Sequence, residues 1–153
     1  MYLYATKFVS GYDFNEQEKT ENISVLKALG VDRDDIPNHV HPSIFARVAV
    51  GYWRKSNAIH AWFVDNVQDG KDECQYSDVS RKDLGELVDL CRKVLNNKEE
   101  APKLMATRSG FFFGSTSYDE YFFKDLEDTI VMIEKILSNK KFESWDFEYH
   151  SSW

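Results

Sequence analysis

The segment SRKDLGELVDLCRKVL, residues 80–95, decides the fold class because it carries the clearest helical signal in the chain. Its apolar side chains recur at i, i+3, i+4 and i+7, as one face of an amphipathic helix requires. They are Leu84, Leu87, Val88, Cys91, Val94 and Leu95. Ser80 and Asp83 have the spacing of a capping box. We therefore predict a helix after Ser80 that packs on a core and buries Cys91 as a small apolar residue.

Two further segments are predicted to complete a three-helix core. The first runs from Ser43, just after Pro42, to about Gln68, because apolar residues recur there at nearly helical spacing. The second begins at a capping-box pattern, Ser117 with Glu120, and extends for about 20 residues. Its apolar stripe consists of Phe122, Leu126, Ile130, Ile133 and Leu137.

The remaining structure is predicted from shorter patterns. Residues 2–9 alternate as a strand does, and so do residues 145–150. These terminal strands would pair with each other, or join a small sheet with Phe111–Phe113. Residues 15–22 and 96–102 are polar and predict loops, while residues 23–29 form a short helix that ends at Gly30. The prediction is an α+β, mostly helical fold: a three-helix core with the terminal strands in a small antiparallel sheet, one domain over 1–153.

Composition excludes some functions. The net charge of −7 and the pI of about 5.1 argue against binding to a nucleic-acid backbone, since phosphates attract basic surfaces. No apolar stretch approaches the roughly 20 residues of a membrane span. The first residues lack the pattern of a signal peptide. We expect a protein of the cytoplasm that does not bind a membrane.

Catalytic and metal-binding patterns are absent from the sequence. The two cysteines are isolated, and His39 and His41 offer only two ligands, so no metal or cofactor is predicted. No nucleophile elbow or other catalytic signature occurs. The acidic residues of the third helix, Asp125 and Asp128 among them, are expected on its solvated side. These observations leave enzymatic activity open but favour a binding protein.

The first candidate site lies on the predicted long helix. Trp53, Asn57 and His60 follow at helical spacing and would share one face. Asn57 and His60 could hydrogen-bond a ligand, Trp53 could stack on it, and Arg54 could meet a phosphate. The alternative is that Asn57 and His60 are buried and hydrogen-bonded within the protein.

The second candidate is the turn Gly114-Ser115-Thr116 before the third helix. Backbone N–H groups at a helix start attract anions, and a glycine lets a ligand approach closely. The pattern is not a P-loop because the lysine is missing. Asp119 and Glu120 would also repel a phosphate at this helix start, so simple helix capping is the alternative.

Three stretches together carry a resemblance. They are Met1–Ala5 with Ser10–Asp13, then Val50–Val64 with its YWRKSNAIH core, and then Ser109–Tyr121 with its GFFFGST core, and the chain closes with Ser151-Ser152-Trp153. The chain resembles a family of small uncharacterised proteins of tailed bacteriophages and prophages. That resemblance implies the cytoplasm of a bacterial host as the setting but supplies no mechanism.

The sequence therefore predicts a non-catalytic phage accessory protein that binds and modulates a host or defence-system protein. The alternative is a nucleotide-binding protein that sequesters a signalling nucleotide, with Trp53, Arg54, Asn57 and His60 joined to the Gly114-Ser115-Thr116 turn. A homodimer is compatible with the sequence but is not required by it.

Overall fold

The computed structural model describes residues 1–12, 15–110 and 114–152. Within them the order of elements is β1 (Tyr2–Val9), α1 (Glu16–Ala28), β2 (Ile44–Tyr52), α2 (Asn57–Asn66), β3 (Tyr76–Val79), α3 (Arg81–Asn96), α4 (Ala101–Leu104), α5 (Glu120–Leu137) and β4 (Asp146–His150). The strands form an antiparallel sheet in the order β2-β1-β4-β3. The α+β class and the pairing of the two terminal strands are thus confirmed. The proposed strand at Phe111–Phe113 lies outside the described residues.

Two compact units make up the chain. The larger unit comprises Met1–Ala5 and Val48–Trp153, and the smaller one comprises Thr6–Arg47. Strands β1 and β2 therefore contribute residues to both units. A single domain over 1–153 stays a prediction.

The helix α3 has the cap and the buried face that its sequence predicts. Asp83 N–H donates to Ser80 Oγ (3.0 Å), and Ser80 N–H donates to Asp83 Oδ2 (2.8 Å), which completes the capping box. Cys91 is fully buried, and burial raises the pKa of its thiol to about 12. The side chains buried along this face are Leu84, Leu87, Val88, Cys91 and Val94.

The core of the larger unit lies between one face of the sheet and the helices. In the β3–β4 ladder Val79 is opposite Phe147, and Ser77 is opposite Tyr149. Burial of Phe147 and Tyr149 confirms the predicted alternation of the last strand. From β1, Leu3 and Ala5 enter the same core.

The predicted helix from Ser43 to Gln68 is wrong, because its first half is the strand β2. Gly51 lies in that strand, where a Cβ atom would come within 3.1 Å of Leu3 Cβ and 3.0 Å of Met132 Sδ. A larger residue here would require Leu3 and Met132 to shift, which is consistent with close packing of the strand against its neighbours. Only the second half is helical, as α2.

Three smaller boundaries also differ from prediction. The segment 15–22, predicted as a loop, belongs largely to α1, which is capped where Glu18 N–H donates to Asn15 Oδ1 (2.9 Å). The cap of α5 is Asp119, whose Oδ1 accepts from Phe122 N–H (3.0 Å), and not Ser117. The predicted linker 96–102 instead contains a 3₁₀ turn, Lys98–Glu100, and the start of α4.

In the smaller unit, the side-chain amide of Asn22 connects two loops. Asn22 Nδ2 donates to the carbonyl oxygens of Ser10 (3.0 Å) and Pro42 (2.8 Å). Gly11 fits against this junction, since a Cβ atom there would lie 2.4 Å from the carbonyl of His41. Gly30 has a φ of 78° at the end of α1, as its predicted capping role requires.

Candidate functional site

A cavity of about 320 Å³ lies in the larger unit where α2 begins, and we call it the α2 pocket. Four of the residues predicted for a ligand site line it: Arg54, Asn57, Gly114 and Ser115. The cavity therefore joins the two sequence motifs that were separate candidates, the YWRKSNAIH segment and the turn before α5.

Close backbone contact brings these two motifs together. A Cβ atom on Gly114 would lie 2.8 Å from the Lys55 carbonyl oxygen, so only glycine fits there. Gly114 also has a φ of 81°, a backbone conformation that residues with a Cβ atom rarely adopt. Lys55 itself has a φ of 60°, although it is not a glycine. Strained residues of this kind cluster at functional sites.

Asn57 links the motifs through its side chain. Its Nδ2 donates a hydrogen bond to the Ser115 carbonyl oxygen. Its Oδ1 has no hydrogen-bond partner in the described part of the chain, although Asn57 is only 4% exposed. Because buried polar atoms are nearly always hydrogen-bonded, this acceptor is left for a water molecule or a ligand, and it is one of five such buried atoms in the described residues.

The start of α2 has an unusual cap. Ser56 is the N-cap residue, but its side chain does not bond to the first amides of the helix. Its hydroxyl instead lies near the carboxyl group of Asp125 on α5 and stabilises the charged form of that group. The earliest hydrogen bond of the helix runs from His60 N–H to the Ser56 carbonyl oxygen (3.0 Å). The amides of the first turn, such as Ala58 N–H, therefore have no intrahelical acceptor.

Asp125 is half-buried beside Ser56, which contradicts its predicted place on the solvated side of α5. Burial raises the pKa of its carboxyl group, and the nearby charges of Asp128 and Asp119 act in the same direction. The nearby Ser56 hydroxyl lowers the pKa of the Asp125 carboxyl group and so opposes them. Asp128, by contrast, is exposed as expected.

Trp53 and Thr116 do not line the pocket. Trp53 lies between β2 and α2, is 5% exposed, and donates from Nε1 to Thr129 Oγ1 (2.8 Å) in the core. The predicted helix face shared by Trp53, Asn57 and His60 does not exist, because α2 begins only at Asn57. The Thr116 carbonyl oxygen accepts from Thr107 Oγ1 (3.0 Å), so its visible role is to position the loop.

His60 is fully buried, and both of its ring nitrogens are hydrogen-bonded. Its Nε2 lies 2.9 Å from Asp72 Oδ2, and its Nδ1 lies 2.7 Å from the Tyr149 hydroxyl. A carboxylate accepts, so Nε2 carries the proton and Nδ1 accepts from Tyr149 O–H. Burial raises the pKa of Tyr149, which keeps this donor protonated. These hydrogen bonds agree with the alternative given above for His60, a buried residue that is hydrogen-bonded within the protein.

Several pocket residues were not among the predicted site residues. Lys55 and Ser56 lie inside the motif that was singled out, but only the turn after β2 brings them to the cavity. Tyr121 and Asp125 are one turn apart on α5 and line the same wall. The (i, i+4) spacing of these two residues could have indicated that they lie together, since such pairs share a helix face.

A second surface was not predicted at all. On the sheet face opposite the core, aromatic rings follow one another in contact across the strands. The ring centroids are 5.0 Å apart for Tyr52 and Tyr2, 5.7 Å for Tyr2 and Tyr4, 6.0 Å for Tyr4 and Tyr76, and 4.1 Å for Tyr76 and His150. We call these five residues the aromatic row. Tyr52 is 55% exposed and Tyr76 is 46% exposed.

Comparisons with known proteins add no assignment: no family model, curated protein or solved structure matches the chain. In the described ranges 1–12, 15–110 and 114–152, no group of three or more His, Cys, Asp or Glu residues is placed to hold a metal ion. Over the same ranges, no helix has both the length and the apolar character needed to cross a bilayer.

Proposed function

We propose that this protein acts without catalysis, by binding a partner protein through the aromatic row. The observation that carries the proposal is the row itself, five aromatic side chains in contact on an open sheet face. The phage resemblance of the sequence supports a host or defence-system protein as the partner, met in the cytoplasm of a bacterial host.

Tyrosine is one of the residues that dominate binding energy at protein interfaces. It offers a large, rigid and amphipathic surface and loses little conformational entropy when it is bound. The helices of the larger unit pack on the other face of the sheet, where Leu3, Phe147 and Tyr149 lie. The row is therefore not needed to build that core, which supports a role in binding.

Charge indicates the kind of partner. In the parts of the strands that belong to the larger unit, the acidic residues are Asp78, Asp146 and Glu148, and there is no lysine or arginine. A chain with a net charge of −7 attracts basic surfaces. Arginine side chains would also stack favourably on tyrosine rings. The partner surface is therefore basic.

The experiment compares capture of partners from bacterial lysate by three forms of the protein. The double variant Tyr52→Ser/Tyr76→Ser removes the two most exposed rings of the row, and Tyr121→Ser removes an exposed tyrosine outside it. A stoichiometric partner with a basic surface should bind the wild type and Tyr121→Ser but not the double variant. Equal capture by all three forms, or none by the wild type, would count against the proposal. Light scattering of the purified protein tests the remaining case, in which the row binds a second copy.

A further inference from the structure

We infer that the α2 pocket binds a nucleoside monophosphate. The inference goes beyond the proposed function, because the pocket does not include any residue of the aromatic row. Three kinds of chemistry meet in this cavity, and each matches a different part of one ligand.

Cationic side chains at the start of a helix would bind the phosphate group of the ligand. Arg54 and Lys55 are exposed at the cavity, and α2 begins one residue after Lys55. Asn57 N–H already donates to the Lys55 carbonyl oxygen (3.1 Å), while the following amide, Ala58 N–H, has no intrahelical acceptor. A helix start of this kind attracts anions, and a guanidinium adds charge-assisted hydrogen bonds. The start of α5 cannot take this role, because Asp119, which also lines the cavity, already caps it and would repel a phosphate there.

The second element is the unpartnered acceptor of Asn57. This residue is 4% exposed and lines the cavity, and its Oδ1 has no hydrogen bond from any described residue. The orientation of the amide is fixed, because Nδ2 is engaged by the Ser115 carbonyl oxygen. A ligand O–H or N–H group directed at Oδ1 would remove the cost of leaving it unsatisfied. The unsatisfied Oδ1 atom is independent of the helix start. It calls for a ligand that carries a hydrogen-bond donor in addition to its phosphate group.

Asp125 extends the same acceptor wall. Asp125 is half-buried and lines the cavity, close to Ser56. Together with Asn57 it provides acceptors for neighbouring hydroxyl groups, which the two hydroxyls of a ribose would satisfy. Inorganic phosphate carries only the O–H groups on its own phosphorus atom, so it cannot place a pair of neighbouring hydroxyls on this wall while its phosphate is held by the cations.

The third element is an aromatic ring at the rim. Tyr121 lines the cavity and is 82% exposed, so its ring is accessible to a base at the rim. Stacking of a base on such a ring tolerates any of the bases. The volume of about 320 Å³ lies at the lower end of the range for ligand pockets, which suits one nucleotide rather than several.

Calorimetric titration tests the inference. The probes are AMP, GMP, CMP and UMP, with ribose 5-phosphate, inorganic phosphate and a 5′-phosphorylated tetranucleotide as comparison arms. At least one mononucleotide should bind saturably and more tightly than ribose 5-phosphate, which lacks the base. Arg54→Gln and Tyr121→Ser should each weaken that binding about tenfold, the loss expected for one charge-assisted hydrogen bond or one stacking contact. Both side chains are exposed, so both variants should fold.

Arg92→Gln is the matched control, since Arg92 is an exposed arginine on α3 outside this pocket, and it should leave the affinity unchanged. Three results would overturn the inference: no saturable binding of any mononucleotide, equal binding of inorganic phosphate or ribose 5-phosphate, or unchanged affinity in both pocket variants. Tighter binding of the tetranucleotide than of every mononucleotide would overturn the assignment to a free nucleotide. The Tyr52→Ser/Tyr76→Ser variant should still bind the nucleotide, so this test and the partner-capture test can fail separately.

Discussion

Asn57 and His60 lie three residues apart on α2 and are both buried, yet their hydrogen bonding differs. Both ring nitrogens of His60 have partners, Asp72 and Tyr149. Asn57 has a partner for Nδ2 and none in the described residues for Oδ1. Burial alone therefore does not separate a structural polar residue from a binding residue. Hydrogen bonding adds a second distinction, because an unsatisfied buried atom is costly unless a water molecule or a ligand completes it, and among the residues with such an atom Asn57 lines the α2 pocket.

The largest effect should come from His60. The substitution His60→Ala removes a fully buried ring and leaves the Tyr149 hydroxyl without its acceptor. We expect a loss of about 3 kcal/mol in the free energy of unfolding, combining a cavity with an unsatisfied donor. Asn57→Ala removes one hydrogen bond and should cost about 1 kcal/mol. Urea unfolding of both variants measures the difference.

Tyr149→Phe refines this comparison, since it removes only the hydroxyl that bonds to His60. Its expected cost is about 1 kcal/mol. If Asn57→Ala proved as destabilising as His60→Ala, the distinction between a structural and a binding residue on α2 would not hold.

Gly114→Ala should have the next largest effect, because the new methyl group would meet the Lys55 carbonyl oxygen at 2.8 Å. Gly70→Ala is the matched control: Gly70 also has a positive φ, 75°, but nothing lies within 4 Å of its Cβ position. We expect about 1 kcal/mol for the backbone strain at Gly70 and about 2 kcal/mol or more at Gly114. Equal melting temperatures for the two variants would show that the two motifs of the pocket are not in close contact.

Asp125→Asn should have the smallest effect and the opposite sign. Burial raises the pKa of this carboxyl group above 3.8, so the folded protein holds the proton more tightly than the unfolded chain does. The free energy of unfolding contributed by this group falls as the pH rises from 3.8 through the raised pKa. The asparagine variant should therefore be slightly more stable than the wild type at neutral pH, and the gain should disappear near pH 4.

Denaturant midpoints at the two pH values measure this effect. Glu127→Gln, an exposed neighbour on α5, is the control and should give no such gain. A gain in Asp125→Asn that persisted unchanged at the lower pH would mean that the titration of Asp125 is not its cause.

Much of the fold could be predicted because the apolar residues of several segments recur with the period of a helix alone or of a strand alone. The stripe of α3 and the alternation of β4 are of this kind. Residues 44–52 are not, since Ile44, Val48 and Tyr52 are spaced by four, which fits one helix face and also one strand face. The start of α1 was missed for another reason: it is polar and mostly exposed, so it has no apolar stripe to identify it.

The candidate site could be predicted in part. Arg54, Asn57, Gly114 and Ser115 were identified from local chemistry, but their meeting depends on a long-range contact that no local pattern encodes. Trp53 was misplaced because the helix that would have carried it does not extend to residue 53. The aromatic row was missed because it forms across strands, two of which, β2 and β3, were not predicted.

Binding at Asn57 is tested most directly by ¹H–¹⁵N correlation NMR of the protein during titration with a mononucleotide. If the pocket binds the nucleotide, the Asn57 side-chain amide and the Ala58 and Ser115 backbone amides should shift saturably, while the signals of the aromatic row remain in place. Shifts confined to the sheet, or no saturable change at Asn57, would contradict the assignment of the unsatisfied acceptor to a ligand.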